Sequence, residues 1–454
     1  MKGRNGIGPG PLRKSALLIN PWIHDFAAYD YWLQPLGLLY LASFLRSNGL
    51  EVNLINCLDP FHPAMEMVSR PPQRYAAGHG KFFQQEIEKP GPLKGIRRKY
   101  KRYGISPELF RHELESTPSP SVILVTSMMT YWYTGVAEAI KIVRESCPGV
   151  PVILGGNYAT LCNDHALNYS GADFVIAGEA ENSLQDVLEI AGAAPRYLPD
   201  GDVLDSLPYP AFDLLGSPAQ APIQTSRGCP FRCVYCASPV LNRKFRRRDP
   251  VKVADEIQFW SSRGVRNFSI YDDAFLVEPE EMAIPLMKEV IARGIACRFH
   301  CPNGLHLREI SGETALLMKK SGFETLRFGF ETSELERQIA TGGKVRGEDL
   351  LAAVGHLKSA GYTGREIGVY LLCGLPGQPA SEIRSSIDFV KACGARPILA
   401  EFSPIPGTPL WDECRRNSQF DLDEPLFHNN TLLPCAGKDL SMEFYRDLKR
   451  LSRI

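Results

Sequence analysis

The sequence has no excess of charge of either sign, because 51 Lys and Arg residues are matched by 51 Asp and Glu residues. The composition as a whole therefore gives no electrostatic reason to expect a nucleic-acid or membrane partner. The chain also lacks any run of about 20 apolar residues, the length of a membrane span, and its first residues lack the apolar stretch of a signal peptide. We expect no membrane span, no nucleic-acid partner and a cytoplasmic location.

A regular cysteine framework is also missing, although the chain contains twelve cysteines. The exception is Cys229, Cys233 and Cys236, which lie within eight residues. Three thiolates can hold three irons of a cubane [4Fe-4S] cluster, and no fourth cysteine follows at usable spacing, so one iron stays open to a small molecule. The alternative is a structural zinc site, which would want a fourth protein ligand nearby. Cys297 and Cys301 are too few for a second cluster, so a single cluster is predicted.

Apolar strands alternate with helical patterns in the first half of the chain. Strands are predicted at residues 15–20, 52–56, 122–126, 152–154 and 174–177. Continuous apolar strands separated by helices indicate a parallel sheet covered on both faces. The predicted fold class is α/β, with an N-terminal doubly wound, Rossmann-like domain at 15–200. Residues 57–118 break the alternation and are interpreted as an insertion, in which residues 81–111 hold nine Lys and Arg against three Glu.

A second series of strands follows a proline-rich linker predicted at 201–222. These strands are predicted at residues 223–226, 267–271, 297–301, 325–330, 367–372 and 398–402. Six strand-helix units predict a partial (β/α)6 TIM-type barrel at 223–410, followed by a short C-terminal helical cap at 411–454. In parallel barrels the loops after strand C-termini form the active site, and the cysteine loop follows the first of these strands.

The Cys-x3-Cys-x-aromatic-Cys spacing, with Tyr235 as the aromatic residue, resembles the signature of radical S-adenosylmethionine (SAM) enzymes. The resemblance implies that SAM binds the open iron and is cleaved reductively. It also implies SAM contacts after several strands, at Tyr235, Asp272, Asp273, Asn303, Gly329, Glu331, Gly374 and Pro376. The alternatives are a plain Asn-Gly turn for Asn303 and solvated loop carboxylates for Asp272 and Asp273.

The first half is similar to the cobalamin-binding domain found in one subgroup of that family, the class B-type radical SAM methyltransferases. The Pro-Leu-Gly-Leu segment at 35–38, the residues after the strand at 122 and two Gly-containing segments carry the similarity. It implies that cobalamin is contacted by Leu36, Gly37, Thr126, Ser127, Tyr131, Gly155, Gly156, Asn157, Gly178 and Glu179. Tyr131 is a candidate lower ligand of cobalt, with ring packing as the alternative, because the chain has no Asp-x-His-x-x-Gly motif. His24 has no partner at ligand spacing and is expected on the surface.

The expected cofactors are one [4Fe-4S] cluster, SAM and cobalamin. The resemblance implies methyl transfer to an unactivated carbon or phosphorus centre, and radical cyclisation or oxidation without methyl transfer is the alternative. A tRNA methylthiotransferase-like enzyme is disfavoured, because the cysteines of the first half are scattered and too few residues follow Trp411 for an RNA-binding domain. A non-catalytic cluster protein is a further alternative. The expected partners are a small-molecule or peptide substrate and an electron donor such as flavodoxin or ferredoxin.

Overall fold

A computed structural model describes residues 14–68, 70–216 and 220–453 of the chain. Ser69 of the predicted insertion, residues 217–219 of the predicted linker and Ile454 of the predicted cap lie outside the described residues. In the described part of the chain, none of the helices combines the length and the apolar character needed to cross a membrane.

The first half folds around a five-stranded parallel sheet with the order β3-β1-β6-β7-β8. The strands of this half are β1 Ser15–Asn20, β2 Ile23–Asp25, β3 Glu51–Asn56, β4 Gln84–Glu86, β5 Lys101–Tyr103, β6 Val122–Val125, β7 Val152–Leu154 and β8 Phe174–Val175. Its helices are α1 Leu36–Ser47, α2 Pro63–Val68, α3 Pro107–Ser116, α4 Tyr133–Ser146, α5 Asn157–Leu161, α6 Asn163–Tyr169 and α7 Leu184–Ile190. Separate apolar cores cover the two faces, as a doubly wound sheet requires.

The predicted insertion contributes to two parts of the first half. Its strands β4 and β5 join β2 in a three-stranded antiparallel sheet with the order β2-β5-β4. Its last helix, α3, instead packs on the parallel sheet, because Phe110 and Leu114 belong to the core that also contains Val143 of α4.

The second half forms a parallel sheet with the order β9-β12-β13-β15-β16-β17, to which the short β14 is also paired. Its strands are β9 Gln220–Ile223, β10 Ser226–Arg227, β11 Arg246–Arg247, β12 Asn267–Ile270, β13 Arg298–His300, β14 Leu305–His306, β15 Phe323–Glu331, β16 Ile367–Cys373 and β17 Arg396–Glu401. The helices are α8 Ser238–Leu241, α9 Pro250–Ser261, α10 Ala283–Ala292, α11 Gly312–Ser321, α12 Leu335–Thr341, α13 Gly347–Ser359, α14 Ala380–Ala392, α15 Trp411–Asn417 and α16 Met442–Leu451. The six-strand order confirms the predicted partial barrel.

The first barrel strand lies earlier than predicted. It spans Gln220–Ile223 and includes Pro222, which the sequence analysis placed in the linker. Proline fits here because β9 is an edge strand with one pairing neighbour, so the missing N-H breaks no ladder between two strands. Ser226, predicted as the last residue of this strand, instead forms β10 with Arg227, and β10 pairs antiparallel with β11.

Candidate active site

The cysteine loop leaves β10 and is held by backbone contacts on both sides. Gly228 has φ +80°, and a Cβ atom there would lie 2.6 Å from the carbonyl oxygen of Lys244, so a side chain is excluded. Further along the loop, the Val234 N-H donates to the carbonyl of Thr341 at 3.2 Å, and the Leu410 N-H donates to the Val234 carbonyl at 3.0 Å. The loop is therefore fixed by the segment before β11, by α12 and by the segment before α15.

The three thiols line one cleft of about 350 Å³ at the C-terminal end of the barrel strands. The predicted residues that line it with them are Tyr235, Asp273, Asn303, Gly329 and Glu331, and the further lining residues are Phe231, Ser238, Pro302, Gly304, His306, Lys344, Tyr370 and Ala400. Burial raises the pKa of the Cys229 thiol to about 11 and also raises that of Cys233. A cubane cluster takes each thiolate at a different iron, which suits three thiols that line one cleft.

A buried ion pair forms one wall of the cleft. The Lys344 Nζ lies 2.7 Å from the Glu331 Oε1, and the two side chains are 18% and 11% exposed. Burial alone would lower the pKa of Lys344, but Glu331 and the Cys233 thiol outweigh it and raise that pKa. Glu331 has φ +72°, in the left-handed region that non-glycine residues rarely adopt, at a register shift between β15 and β16. This backbone distortion turns the carboxylate at the end of β15 toward the lysine.

Two polar atoms in the cleft are buried without a well-formed hydrogen bond in the described structure: the His306 Nδ1, and the Tyr235 hydroxyl, which lies beside Glu331 and the Cys233 thiol. The His306 ring stacks on Phe231 with centroids 4.8 Å apart. Burial, with a smaller effect of Lys344, lowers the pKa of His306 to about 3, so the ring is neutral at physiological pH. Buried polar groups are normally satisfied, so these two atoms fit a polar ligand in the cleft.

Lys344 and His306 were missed by the sequence analysis. His306 follows the Asn-Gly segment by two residues, and Lys344 follows a Gly-Gly pair, but neither position carries a local signal for a site. They reach the cleft because β14 pairs with β15, and because Gly342 packs against Cys233, where a Cβ atom would lie 3.1 Å from the cysteine Cα.

Three predicted SAM contacts lie outside this cleft. Asp272 is buried and accepts hydrogen bonds from the Thr225 N-H at 2.8 Å, the Thr225 hydroxyl at 2.6 Å and the Ser226 hydroxyl at 2.5 Å. Its carboxylate therefore ties β12 to the start of the cysteine loop, and burial raises its pKa to about 6. Gly374 and Pro376 are not among the lining residues, since Gly374 packs toward Leu433 of the C-terminal segment.

A second cavity of about 340 Å³ lies between the two halves of the chain. Nine of the ten residues predicted to contact cobalamin line it: Leu36, Gly37, Thr126, Ser127, Gly155, Gly156, Asn157, Gly178 and Glu179. A Cβ atom at Gly37, Gly155 or Gly178 would meet no atom within 4 Å, so these glycines leave room along the backbone. Such a glycine-lined wall at the ends of parallel strands fits the nucleotide tail of a large cofactor.

The residue at the turn between β7 and α5 must be glycine. Gly156 has φ +94°, and a Cβ atom there would lie 2.2 Å from the carbonyl oxygen of Ser127. That carbonyl accepts the N-H of Asn157 at 2.9 Å, and the Ser127 hydroxyl donates to the Gly155 carbonyl at 2.6 Å. These bonds fix the cavity wall between β6 and β7.

The tenth residue, Tyr131, lies outside the cavity. Its ring is buried and its hydroxyl donates to Asn430 Oδ1 at 3.4 Å, so it contacts the C-terminal segment. His24 is also not on the surface, because it is 4% exposed and its Nε2 lies 3.2 Å from the Glu138 carboxylate. Burial lowers its pKa despite that carboxylate.

The barrel closes the second cavity with Gln224, Arg227 and Tyr271. Arg227, two residues before the first cysteine, contacts Glu179 at 3.2 Å and Glu181 at 2.7 Å, and its side chain is 10% exposed. Arg246 of β11 also pairs with Glu179. The wall of the second cavity and the cysteine loop are thus joined by ion pairs that are largely shielded from solvent.

Comparison with known proteins matches both halves. The model of the Radical SAM superfamily matches residues 223–390, and that of the B12 binding domain matches residues 95–188. The chain therefore carries a radical SAM domain and a B12-binding domain. Its family's cofactors are a [4Fe-4S] cluster, SAM and cobalamin, and the residues of the cleft and the second cavity fit these groups. The match to the B12-binding model begins inside the predicted insertion and includes α3.

Named relatives cover much of the chain at low identity. The chain is 23% identical over 332 residues to an uncharacterized methyltransferase from Pyrococcus horikoshii. This alignment covers 66% of this chain and 70% of the relative. It is 24% identical over 362 residues to an anaerobic magnesium-protoporphyrin IX monomethyl ester cyclase from Cereibacter sphaeroides, covering 70% of this chain and 57% of the relative.

Solved structures share the fold. The radical SAM methyltransferase TsrM from Kitasatospora setae, solved with a tryptophan substrate and a SAM analogue, superposes with a TM-score of 0.65 at 17% identity. The superposition covers 89% of this chain and 77% of that one. The architecture of a B12-binding domain followed by a radical SAM barrel is therefore shared.

Proposed function

We propose that the protein is a cobalamin-dependent methyltransferase that cleaves SAM reductively and methylates an unactivated carbon or phosphorus centre. The observation that carries the proposal is the position of Tyr271 between the two cavities. Its hydroxyl accepts the Gln34 N-H at 2.8 Å in the wall of the second cavity, and its carbonyl accepts from Asn303 Nδ2 at 3.2 Å in the wall of the cleft. A substrate held beside Tyr271 would be within reach of both cavities.

The cleft residues divide into metal ligands and SAM contacts. Cys229, Cys233 and Cys236 would hold the cluster. Glu331 and Lys344 offer the opposite charges that the ammonium and carboxylate of the methionyl group require. When bound, the reduced cluster and SAM supply a carbon radical and cobalamin supplies a methyl carrier.

The glycine-lined wall of the second cavity would hold cobalamin. Ser127 and Asn157 fix this wall by hydrogen bonds and would not bind the cobalt. The lining contains no histidine. Tyr131 is not proposed as a lower ligand, because its hydroxyl donates to Asn430 Oδ1 in the C-terminal segment. The proposed partners are a one-electron donor such as flavodoxin or ferredoxin and a small-molecule or peptide substrate.

A second candidate function is radical cyclisation without methyl transfer. The alignment with the magnesium-protoporphyrin cyclase supports it, because that alignment covers as large a share of this chain as the one with the uncharacterized methyltransferase. A cyclase of this type would use the same cleft.

The experiment is anaerobic reconstitution with iron, sulfide and cobalamin, followed by incubation with SAM and a reductant. Methyl transfer predicts formation of both S-adenosylhomocysteine and 5'-deoxyadenosine when the substrate is supplied in a cell extract. Formation of 5'-deoxyadenosine alone would favour the cyclase. A Cys233→Ala variant, which should retain corrinoid but not SAM cleavage, is the control. A protein that fails to retain corrinoid would contradict the methyl-transfer proposal.

A further inference from the structure

Two arginines flank a glycine at one level of the barrel sheet. Arg327 of β15 is paired in register with Gly368 of β16, which is paired with Arg396 of β17. Residues paired in register on parallel strands share a face, so both arginines lie on the face toward which a side chain at Gly368 would point. A Cβ atom at Gly368 would lie 2.7 Å from Ile398 Cδ1 of β17 and 2.8 Å from Arg327 Nη1, so the Arg327 guanidinium extends over β16 and ends beside the Ile398 side chain.

This face is the barrel interior. The residues that alternate with Arg327 on the other face of β15, Leu326 and Phe328, belong to the core packed against the helices. Gly329 and Tyr370, paired one level above Arg327 and Gly368, line the cysteine cleft. Two residues along a strand span about 7 Å, so the arginine level lies about that far below the wall of the cleft.

Neither arginine forms an ion pair within the described residues. The Arg327 Nη1 donates to the carbonyl of Leu326 at 2.7 Å, which leaves the charge uncompensated. The neighbouring acid Glu366 is engaged with Lys319 at 3.3 Å. Burial lowers the pKa of Arg327, and the nearby charge of Arg396 lowers it further. Two like charges side by side repel each other, and an anion bound between them would relieve that repulsion.

The arginine pair is open to solvent on the side of Arg396. β17 is an edge strand, so the arginine level lies at the open side of the partial barrel, and Arg396 is exposed. Deeper in the interior, both amide atoms of Gln220 and the hydroxyl of Ser269 are buried without a partner in the described structure. Gln220 of β9 and Ser269 of β12 are separated from β15 by at least one strand, and Gln220 packs toward Gly78, so these atoms lie apart from the arginine pair.

We propose that Arg327 and Arg396 bind an anionic group, a carboxylate or a phosphate, of the substrate. This inference rests on the proposed function, which makes the ligand a substrate. With its anionic group bound by the arginines, the remainder of the substrate would extend toward the cleft. Guanidinium groups bind carboxylates and phosphates alike through paired hydrogen bonds, so either group would suit the two arginines.

The test uses the full chain without cofactors and measures the rise in Tm with increasing ligand concentration. The probes are benzoate for the carboxylate, inorganic phosphate for the phosphate and benzamide as the uncharged counterpart of benzoate. We expect one of the two anions, but not benzamide, to raise Tm, because a ligand that binds the folded state stabilises it. The Arg327→Gln/Arg396→Gln variant should weaken the apparent affinity about tenfold or more.

Two control variants separate this site from other cations. Arg298→Gln removes an arginine of β13 that is already paired with Glu324 at 3.1 Å, and Arg97→Gln removes a cation from the open basic cleft of the insertion. Both should bind the anion as the unmodified protein does. The proposal is overturned if neither anion raises Tm, if benzamide acts as benzoate does, or if the double variant binds with unchanged affinity. Reductive SAM cleavage without any substrate tests the proposed function separately, so the two failures are distinguishable.

Discussion

The ion pairs between the B12-binding domain and the cysteine loop make a quantitative prediction for Glu181→Gln. Arg227 and Glu181 are 10% and 11% exposed, so the substitution leaves a buried guanidinium with reduced compensation. Breaking a buried pair costs about 3 to 5 kcal/mol, but Arg227 keeps Glu179 at 3.2 Å, so we expect a loss of about 2 to 3 kcal/mol. For the B12-binding domain, this loss of stability corresponds to a fall in Tm of roughly 5 °C or more.

The pH dependence of this effect has a defined sign. Burial raises the pKa of Glu181, but Arg227 outweighs it and the pKa is lowered overall. The carboxylate therefore stabilises the folded protein above its unfolded pKa of about 4.3, and that stabilisation is lost as the pH falls through the lower folded value. The Tm difference between the unmodified protein and the variant should be full at pH 7 and should shrink in acid.

The matched control is Asp202→Asn, which removes the partner of Lys244 in the same region. Both side chains of that pair are more than 60% exposed, so Tm should hardly change. The reasoning is refuted if Glu181→Gln lowers Tm no more than Asp202→Asn does, or if its effect is the same at pH 7 and in acid. Corrinoid retention after gel filtration should also fall in Glu181→Gln, since Glu181 lines the second cavity.

Further substitutions test the two cavities separately. Gly156→Ala would place a Cβ atom 2.2 Å from the Ser127 carbonyl at a positive φ, so we expect a lower Tm and loss of corrinoid retention while the iron content of the reconstituted protein is unchanged. Gly329→Ala would place a Cβ atom 2.9 Å from the Glu331 carboxylate, so SAM affinity measured by equilibrium dialysis should fall while corrinoid retention stays. His306 has a pKa lowered to about 3, so it favours the folded state above its unfolded value of about 6.5, and this contribution is lost as the pH falls toward 3. In His306→Gln the stability gained by the unmodified protein between pH 4 and pH 7 should be smaller, as followed by Tm.

The sequence analysis predicted where the strands of the two parallel sheets lie along the chain, and it predicted the cysteine loop, because both depend on local patterns. Apolar runs and turn residues can be recognised directly in the sequence. The residues predicted to contact cobalamin lie at strand ends, and the fold class already implies the direction of those strands. The first barrel strand was misplaced because Pro222 signals a break in most settings, and its tolerance depends on β9 lying at a sheet edge.

The side chains of the cleft were harder to predict because their direction depends on partners distant in sequence. Asp272 follows its strand as an active-site acid would, yet the hydroxyls of Thr225 and Ser226 hold its carboxylate away from the cleft. Lys344 has no motif of its own and becomes part of the cleft through its pairing with Glu331. Contacts of this kind exist only after β12, β15 and the cysteine loop have assembled.

The interface between the two halves is also stabilised by the C-terminal segment. Asn429 Nδ2 donates to the Asp25 carboxylate at 2.8 Å, and the His428 Nδ1 lies 2.9 Å from the Thr130 hydroxyl. Both contacts are buried, and Asp25 also accepts from Trp132 Nε1 at 2.7 Å. Because the same segment packs against Leu375 and Phe402 of the barrel through Leu422 and Cys435, it ties the loops after β1 and β6 to the barrel. The relative position of the two cavities is therefore set at two places, by the ion pairs of Arg227 on one side and by this segment on the other.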